Sequence, residues 1–405
     1  MKPVNFCKYF NNFDYQNLNI YSISIDLIEL ELTLMKGVDS FPEISSKLIK
    51  KFEIIRLLGS GSFGKIYQAK HRRTGKLVAI KHESPEISPP QLENEMRIYK
   101  KLTGFPGFAD IYLSLNEISG HYCVMELLGQ NLQQLYEICG FIFTLKSVYM
   151  IFDQMIRRIE NLHSKCFLHR DLKPENFVIG RNEHKNTIYL IDFGLSSMYC
   201  DPLTSIHIPM REGRDMVGTI RYASVNYHKG IEGSRRDDLE SLFYIILYFL
   251  RGQLPWQGLK HRTRVKKSVR IAQIKEKLTI EELCRGLPPV FEEYIKYVRS
   301  LDFDETPDYQ FCYSIIKRGM DNEGYTFDGC FDWNSIEDID KIFKEQKNPY
   351  LEEEETRQNI PSNNQYYKLF IKTNQNEKID FDHHNKPEKH NPIQLSAKTL
   401  LKTLS

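Results

Sequence analysis

The chain has 405 residues, 41% of them hydrophobic and 27% charged, with 55 basic side chains against 53 acidic ones. That is enough apolar material for one large folded unit with tails, and a formal net charge of +2 supplies no general field for nucleic acid or an anionic membrane. The most apolar run, Leu242 to Leu250, is closed by Glu240 and Arg251 and falls far short of the roughly 20 residues that cross a bilayer, so no membrane span is expected. The eight cysteines are scattered without a Cys-x-x-Cys pair, which favours reduced thiols in a cytoplasmic or nuclear protein.

Residues 1–50 form an N-terminal extension rich in Asn, Tyr and Ser. Apolar residues alternate through Ile23, Ile25 and Leu27, slip by one, and continue as Ile28, Leu30, Leu32 and Leu34, which suggests a short strand or two. Asp26, Glu29 and Glu31 interrupt this run, so it is not a signal peptide. The extension carries no chemistry. Met35 is a second candidate start, and part of the extension is expected to be disordered or absent from the mature protein.

From Phe52 to Leu58 the pattern is that of a strand, running into Gly59-Ser60-Gly61-Ser62-Phe63-Gly64 and then, through Lys65, Ile66 and Tyr67, into a second strand. Glycines at these spacings let a hairpin backbone approach phosphates unobstructed. The same spelling opens dinucleotide-binding turns, but there a helix follows at once and an acidic ribose ligand comes later. Here the chain continues as strand and reaches Val78-Ala79-Ile80-Lys81. Lys81 closes an apolar strand, where a lysine needs a partner unless it is simply a surface residue. Glu95, on a helix expected from Gln91 to Leu102 after Pro89-Pro90, is that candidate partner. Tyr122 to Gly129 reads as a strand ending in glycine, with Met125 at the back of a nucleotide pocket and the backbone groups of Glu126 and Leu128 facing the adenine edge.

A helical region follows, beginning with Ser147 to His163. Behind it come His169-Arg170-Asp171-Leu172-Lys173-Pro174-Glu175-Asn176 and then, after the strand-like Ile188-Tyr189-Leu190-Ile191, Asp192-Phe193-Gly194. Asp171 can accept a hydroxyl proton, Asn176 and Asp192 are hard oxygen ligands for magnesium, and Lys173 can neutralise a phosphoryl group in transit. Together with Lys81 and Glu95 these are the working parts of a protein kinase. The nucleotide-contacting set is then Leu58, Gly59, Ser60, Gly61, Ser62, Phe63, Gly64, Lys65, Ile66, Lys81, Met125, Glu126 and Leu128. Asp238 opens a helix apolar on nearly every face and is expected to hold the catalytic loop through backbone hydrogen bonds. Further helices are expected over residues 271–320, and a polar, mobile tail over 336–405.

Several stretches are specific enough to carry a resemblance. They are the glycine loop, Met125-Glu126-Leu127-Leu128-Gly129, His207-Ile208-Pro209, Arg221-Tyr222-Ala223-Ser224, Ser234-Arg235-Arg236-Asp237-Asp238-Leu239-Glu240-Ser241-Leu242 and Leu254-Pro255-Trp256-Gln257-Gly258-Leu259-Lys260. Ser224-Val225-Asn226 stands where most protein kinases carry Ala-Pro-Glu. Over residues 51–335 the chain resembles the casein kinase 1 family of Ser/Thr protein kinases. The resemblance implies a two-lobed α+β kinase fold, with a small β-rich lobe over about 51–125, a hinge at 126–129 and a helical lobe over 130–335. It further implies a monomeric signalling transferase that uses ATP and Mg2+, acts on acidic or pre-phosphorylated protein substrates, and needs no activation-loop phosphorylation. Arg214, Arg221, Gly252 and Lys260 match the positions where that family binds a substrate anion, although a solvated basic face would spell much the same. Glu175 departs from the family's usual Asp. A second basic run, Arg262, Arg264, Lys266, Lys267 and Arg270, fits an import signal, a docking surface or a solvated helix face. The rival of a different class is a pseudokinase scaffold that binds partners without chemistry.

Overall fold

The computed structural model describes residues 44–61, 64–88, 90–259 and 263–336. The alternating run at 23–34, the tail from 337 onward, and Ser62, Phe63 and Lys260 lie outside the described residues.

Helix α1 (Ser46–Lys51) leads into β1 (Phe52–Gly61), and β2 (Gly64–His71) returns antiparallel, with Gly61 opposite Gly64. Gly64 has φ +113°, and a Cβ there would lie 2.0 Å from the His82 carbonyl oxygen, so only glycine lets the hairpin close against its neighbour. β3 (Leu77–Glu83), helix α2 (Leu92–Leu102), β4 (Ile111–Glu117) and β5 (Gly120–Glu126) complete an antiparallel sheet ordered β1-β2-β3-β5-β4. The first residue of α2 has no side-chain cap of its own. Instead Glu83 Oε1, at the end of β3, accepts the backbone N–H groups of Gln91 and Leu92 at 2.8 and 3.1 Å, tying strand to helix. The expected strand through Gly129 stops at Glu126.

One side of the sheet buries Tyr67, Val78, Ile80 and Val124 against Ile44, Leu48 and Ile49 of the α1 segment. The packed unit therefore begins by Ile44, ahead of the boundary expected at 51, because α1 supplies apolar cover that the sheet lacks.

Past the hinge come α3 (Leu132–Ile138), α4 (Leu145–Ser164), β6 (Phe167–Leu168), β7 (Phe177–Ile179), β8 (Ile188–Leu190) and β9 (Ser197–Met198). They are followed by α5 (Val225–His228), α6 (Arg235–Arg251), α7 (Arg264–Lys277), α8 (Ile280–Cys284), α9 (Pro289–Ser300) and α10 (Tyr309–Asn322). α6 is buried from Asp237 to Arg251, as its nearly all-round apolar sequence requires, with α4 and α9 packed on it. Thr263 caps α7 and places Lys266, Lys267 and Arg270 on a helix, with Lys266 and Lys267 exposed. Among the described residues no helix is long and apolar enough to cross a membrane. The result is an α+β molecule in two lobes, and a continuous apolar core runs between them through Ala79, Met125, Leu127, Ile179 and Phe193.

Candidate active site

Strand alternation turns Lys81 of β3 inward, where its side chain is only 10% exposed. An unpaired ammonium could not remain there, and Lys81 Nζ meets Glu95 Oε2 of α2 at 2.5 Å and Asp192 Oδ1 at 3.5 Å. Burial works against the charge, but Glu95 and then Asp192 more than compensate and raise the Lys81 pKa above its ordinary value. Asp192 is half-buried; burial works against its charge, yet Lys81 and Lys173 hold its pKa below the usual carboxylate value. The two lobes thus share one fixed cation between two fixed anions.

Asp171 is buried in the loop after β6. Its Oδ2 accepts from Lys173 Nζ at 2.8 Å and its Oδ1 from Thr219 Oγ1 at 2.7 Å, so both carboxylate oxygens are aimed. Burial opposes the Lys173 charge, but Asp171 outweighs it and raises the lysine's pKa. Asn176 Nδ2 donates to the Asp171 carbonyl at 2.8 Å, which turns the amide oxygen of Asn176 away from that bond. Asn176 and Asp192 therefore offer oxygen donors of the kind Mg2+ takes. Among the described residues no cluster of three or more His, Cys, Asp or Glu side chains could hold a metal ion.

The loop is held from below. Asp238, at the entry to α6, accepts the backbone N–H groups of His169 at 2.7 Å and Arg170 at 3.0 Å, as expected of it. His163 supports Asp238: its Nε2 lies 3.0 Å from Asp238 Oδ2, and its Nδ1 is 2.6 Å from the Tyr309 hydroxyl. Burial lowers the His163 pKa, and a neutral ring that donates through Nε2 and accepts through Nδ1 satisfies both contacts. Arg170 (φ +67°) and Asp192 (φ +66°) both sit in left-handed backbone, strain of a kind that concentrates at functional loops. Phe193 is fully buried and meets Tyr99 of α2 edge-on at 4.9 Å and His169 at 5.5 Å, locking the loop to the small lobe.

Several of the residues expected to contact a nucleotide share one apolar region. Leu58, Ile66 and Leu128 pack against the core that Ala79 and Met125 line. A Cβ at Gly59 or Gly61 would meet nothing within 4 Å, leaving open space over the hairpin. The Glu126 N–H is committed to the Asp110 carbonyl at 2.8 Å, so the group Glu126 can offer a ligand is its own carbonyl. Ser60 and Lys65 lie in the same hairpin, on β1 and β2.

Of the residues expected to meet a substrate anion, Arg214, Arg221 and Gly252 are described and each has an internal contact. Arg214 Nε is bound to Glu232 Oε2 at 3.0 Å. The Arg221 guanidinium lies 5.7 Å from the Tyr222 ring centroid. Gly252, whose position matches the family's anion site, adopts φ +79° as the cap of α6 and donates its N–H to the Tyr248 carbonyl at 2.8 Å. A helix ending here needs a left-handed residue, which glycine supplies without strain.

Sequence reasoning missed Thr219, His163, Glu83 and Lys275, whose roles depend on contacts remote along the chain. It noticed Ser224-Val225-Asn226 without its reason. Ser224 Oγ and Asn226 Nδ2 both donate to Asp237 Oδ1, at 2.7 and 3.1 Å, and so moor the activation segment to α6. Burial, opposed by these bonds, pushes the Asp237 pKa up to about 6. Lys275 Nζ reaches the Ala223 carbonyl at 2.5 Å beneath the same segment, stacked over Tyr244 and Trp256.

A buried Lys–Glu pair in the small lobe, a second aspartate facing that lysine from the large lobe, and an aspartate aimed by a lysine and a threonine are suited to moving a phosphoryl group. The protein kinase domain family matches residues 52–302, and the chain belongs to that family.

Proposed function

We propose that the chain is an ATP-dependent Ser/Thr protein kinase of casein kinase 1 type, acting on acidic or pre-phosphorylated protein substrates. The observation that carries the chemistry is the doubly held Asp171 carboxylate, bonded at once to Lys173 and to Thr219 of the activation segment. Asp171 orients the acceptor hydroxyl and takes its proton as the phosphorus–oxygen bond forms, while Lys173 steadies the oxygens of the phosphoryl group. Lys81, fixed by Glu95, binds the donor's inner phosphates, and the hairpin backbone at Gly59 and Gly61 leaves room for them. Magnesium, which Asn176 and Asp192 would hold, supplies charge neutralisation on the phosphates when bound. Position and electrostatics carry most of the acceleration, since the transition state is loose.

The casein kinase 1 assignment is supported by the Ser224–Asp237–Asn226 mooring, which holds the segment without a phosphate. Arg214, Arg221 and Lys260 are the proposed readers of a substrate anion, with Glu232 as the internal acid that a substrate must displace from Arg214. A monomeric enzyme of the cytoplasm or nucleus is the setting that goes with this reading.

The test is phosphate transfer from Mg-ATP to two matched peptides, one with phosphoserine three residues before the acceptor serine and one with alanine there. Preference for the primed peptide, reduced in Arg221→Ala or Lys260→Ala, is expected. Equal transfer to both would remove the substrate preference and keep the kinase. No transfer to either peptide or to casein, with Mg-ATP still bound, would leave a binding scaffold.

A further inference from the structure

β6 and β9 form a two-stranded sheet joining the two catalytic motifs: β6 runs into His169–Asn176, and β9 follows Asp192–Gly194. Phe167 pairs with Met198 and Leu168 with Ser197, and just beyond this ladder the Tyr199 N–H donates to the Cys166 carbonyl at 3.0 Å. This brings two cysteines together. Cys166 packs against the small buried cluster of Leu168, Tyr199 and Cys200. Cys166 is half-buried, on left-handed backbone at φ +66°, whereas Cys200 is 6% exposed. Neither thiol has a part in phosphate transfer.

We propose that Cys166 and Cys200 form a reversible redox pair, closed to a disulfide by hydroperoxides, that staples the root of the activation segment to the strand entering the catalytic loop. The Cys166 sulfur, the more exposed of the two, attacks the outer oxygen of the hydroperoxide; the O–O bond breaks, an alcohol or water leaves, and Cys166 becomes a sulfenic acid. The Cys200 sulfur then attacks the Cys166 sulfur; the S–S bond forms, the S–O bond breaks, and the departing oxygen leaves as water with the Cys200 proton. Both thiols are oxidised by one electron each and one hydroperoxide is reduced. Burial, and after it the Cys166 thiol, pushes the Cys200 pKa up to about 11, against the pull of Tyr199 and the Arg235 guanidinium. The resolving thiol is therefore protonated at neutral pH.

Because the strands are already paired, closing the bond asks for little backbone movement, and its main effect is to forbid their separation. Oxidation should leave the Thr219–Asp171 contact in place and raise the thermal unfolding midpoint by about 5–10 °C.

The test treats the full chain with graded hydrogen peroxide, blocks remaining thiols, and maps peptides by mass spectrometry. A linked peptide containing Cys166 and Cys200 should appear before Cys139 or Cys330 is consumed, exceed over-oxidised Cys166 by about tenfold or more, and vanish on dithiothreitol. In Cys200→Ser a sulfenic acid at Cys166 should become trappable by dimedone. Sulfinic or sulfonic acid at Cys166 with no bridge, a bridge from Cys166 to any other cysteine, or unreacted Cys166 once Cys330 is oxidised would each overturn the proposal. The readout is a covalent bond rather than phosphate transfer, so it stands or falls apart from the kinase reading.

Discussion

The Lys81 side chain is 10% exposed and faces two carboxylates, whereas Arg214 is 51% exposed and faces one, Glu232. Both are ion pairs, but at the first the surroundings are low in dielectric and the partners cannot move away. At the second, water and salt screen the charge and a long side chain gives up freedom to hold its partner. An interior pair is therefore part of the machine's frame, while a surface pair is an equilibrium that a substrate can enter.

That contrast orders the expected effects. Asp171→Asn should lower turnover by about 10²–10⁴ with the unfolding midpoint little changed, and wild-type turnover in that variant would remove its role as base. Glu95→Ala leaves Lys81 buried without its nearest anion and should destabilise the fold by about 3–5 kcal/mol in urea titrations; a surface-like loss under 1 kcal/mol would break the comparison. A third test uses pH. Burial, then Lys275, lowers the His228 pKa to about 3, below the roughly 6.5 of the unfolded chain. The unfolded state thus binds the proton first, and stability is lost as pH falls from about 6.5 toward 3, by about 2 kcal/mol at pH 5 relative to pH 7.5. His228→Gln should flatten that part of the profile; an unchanged slope would mean the proton goes elsewhere.

On the basic face, Arg221→Ala should reduce discrimination between primed and unprimed peptides about tenfold in kcat/KM, the loss of one charge-assisted bond. Smallest is Glu232→Ala, which should change stability by less than about 1 kcal/mol and raise primed-peptide affinity a few-fold at low salt only. If the gain persists in high salt, the Arg214–Glu232 pair is less screened than its exposure implies.

Most of the centre was legible because its residues come in short runs whose spacing is itself the chemistry. His169 to Asn176 and Asp192 to Gly194 each lie on one turn or loop, and Lys81 directly follows the apolar run of its strand, which announces it. Thr219, His163 and Glu83 act across 48, 75 and 8 positions of sequence, on Asp171, Asp238 and Gln91, and nothing local marks them. Glu83 is the nearest of these, yet a glutamate that caps the following helix from the end of a strand spells nothing that a surface glutamate does not. Gly252 hid a role for a different reason: a glycine that admits an anion and a glycine that ends a helix are the same letter, and the sequence did not announce the cap. The hinge strand ended early at Glu126 because its partner register with Val78 runs out there.

The α1 segment has a practical consequence for anyone cutting this protein. The family match starts at residue 52, yet Ile44, Leu48 and Ile49 are what cover Tyr67, Val78 and Ile80. A fragment trimmed to the homology boundary would bare that greasy face of the sheet. At about 1.5–3 kcal/mol for each large side chain uncovered, the loss is comparable to the whole margin by which a domain stays folded. Such a fragment would be expected to precipitate on expression while one beginning a few residues before Ile44 stays dispersed, so the unit that evolution copies and the unit that survives in a test tube have different edges here.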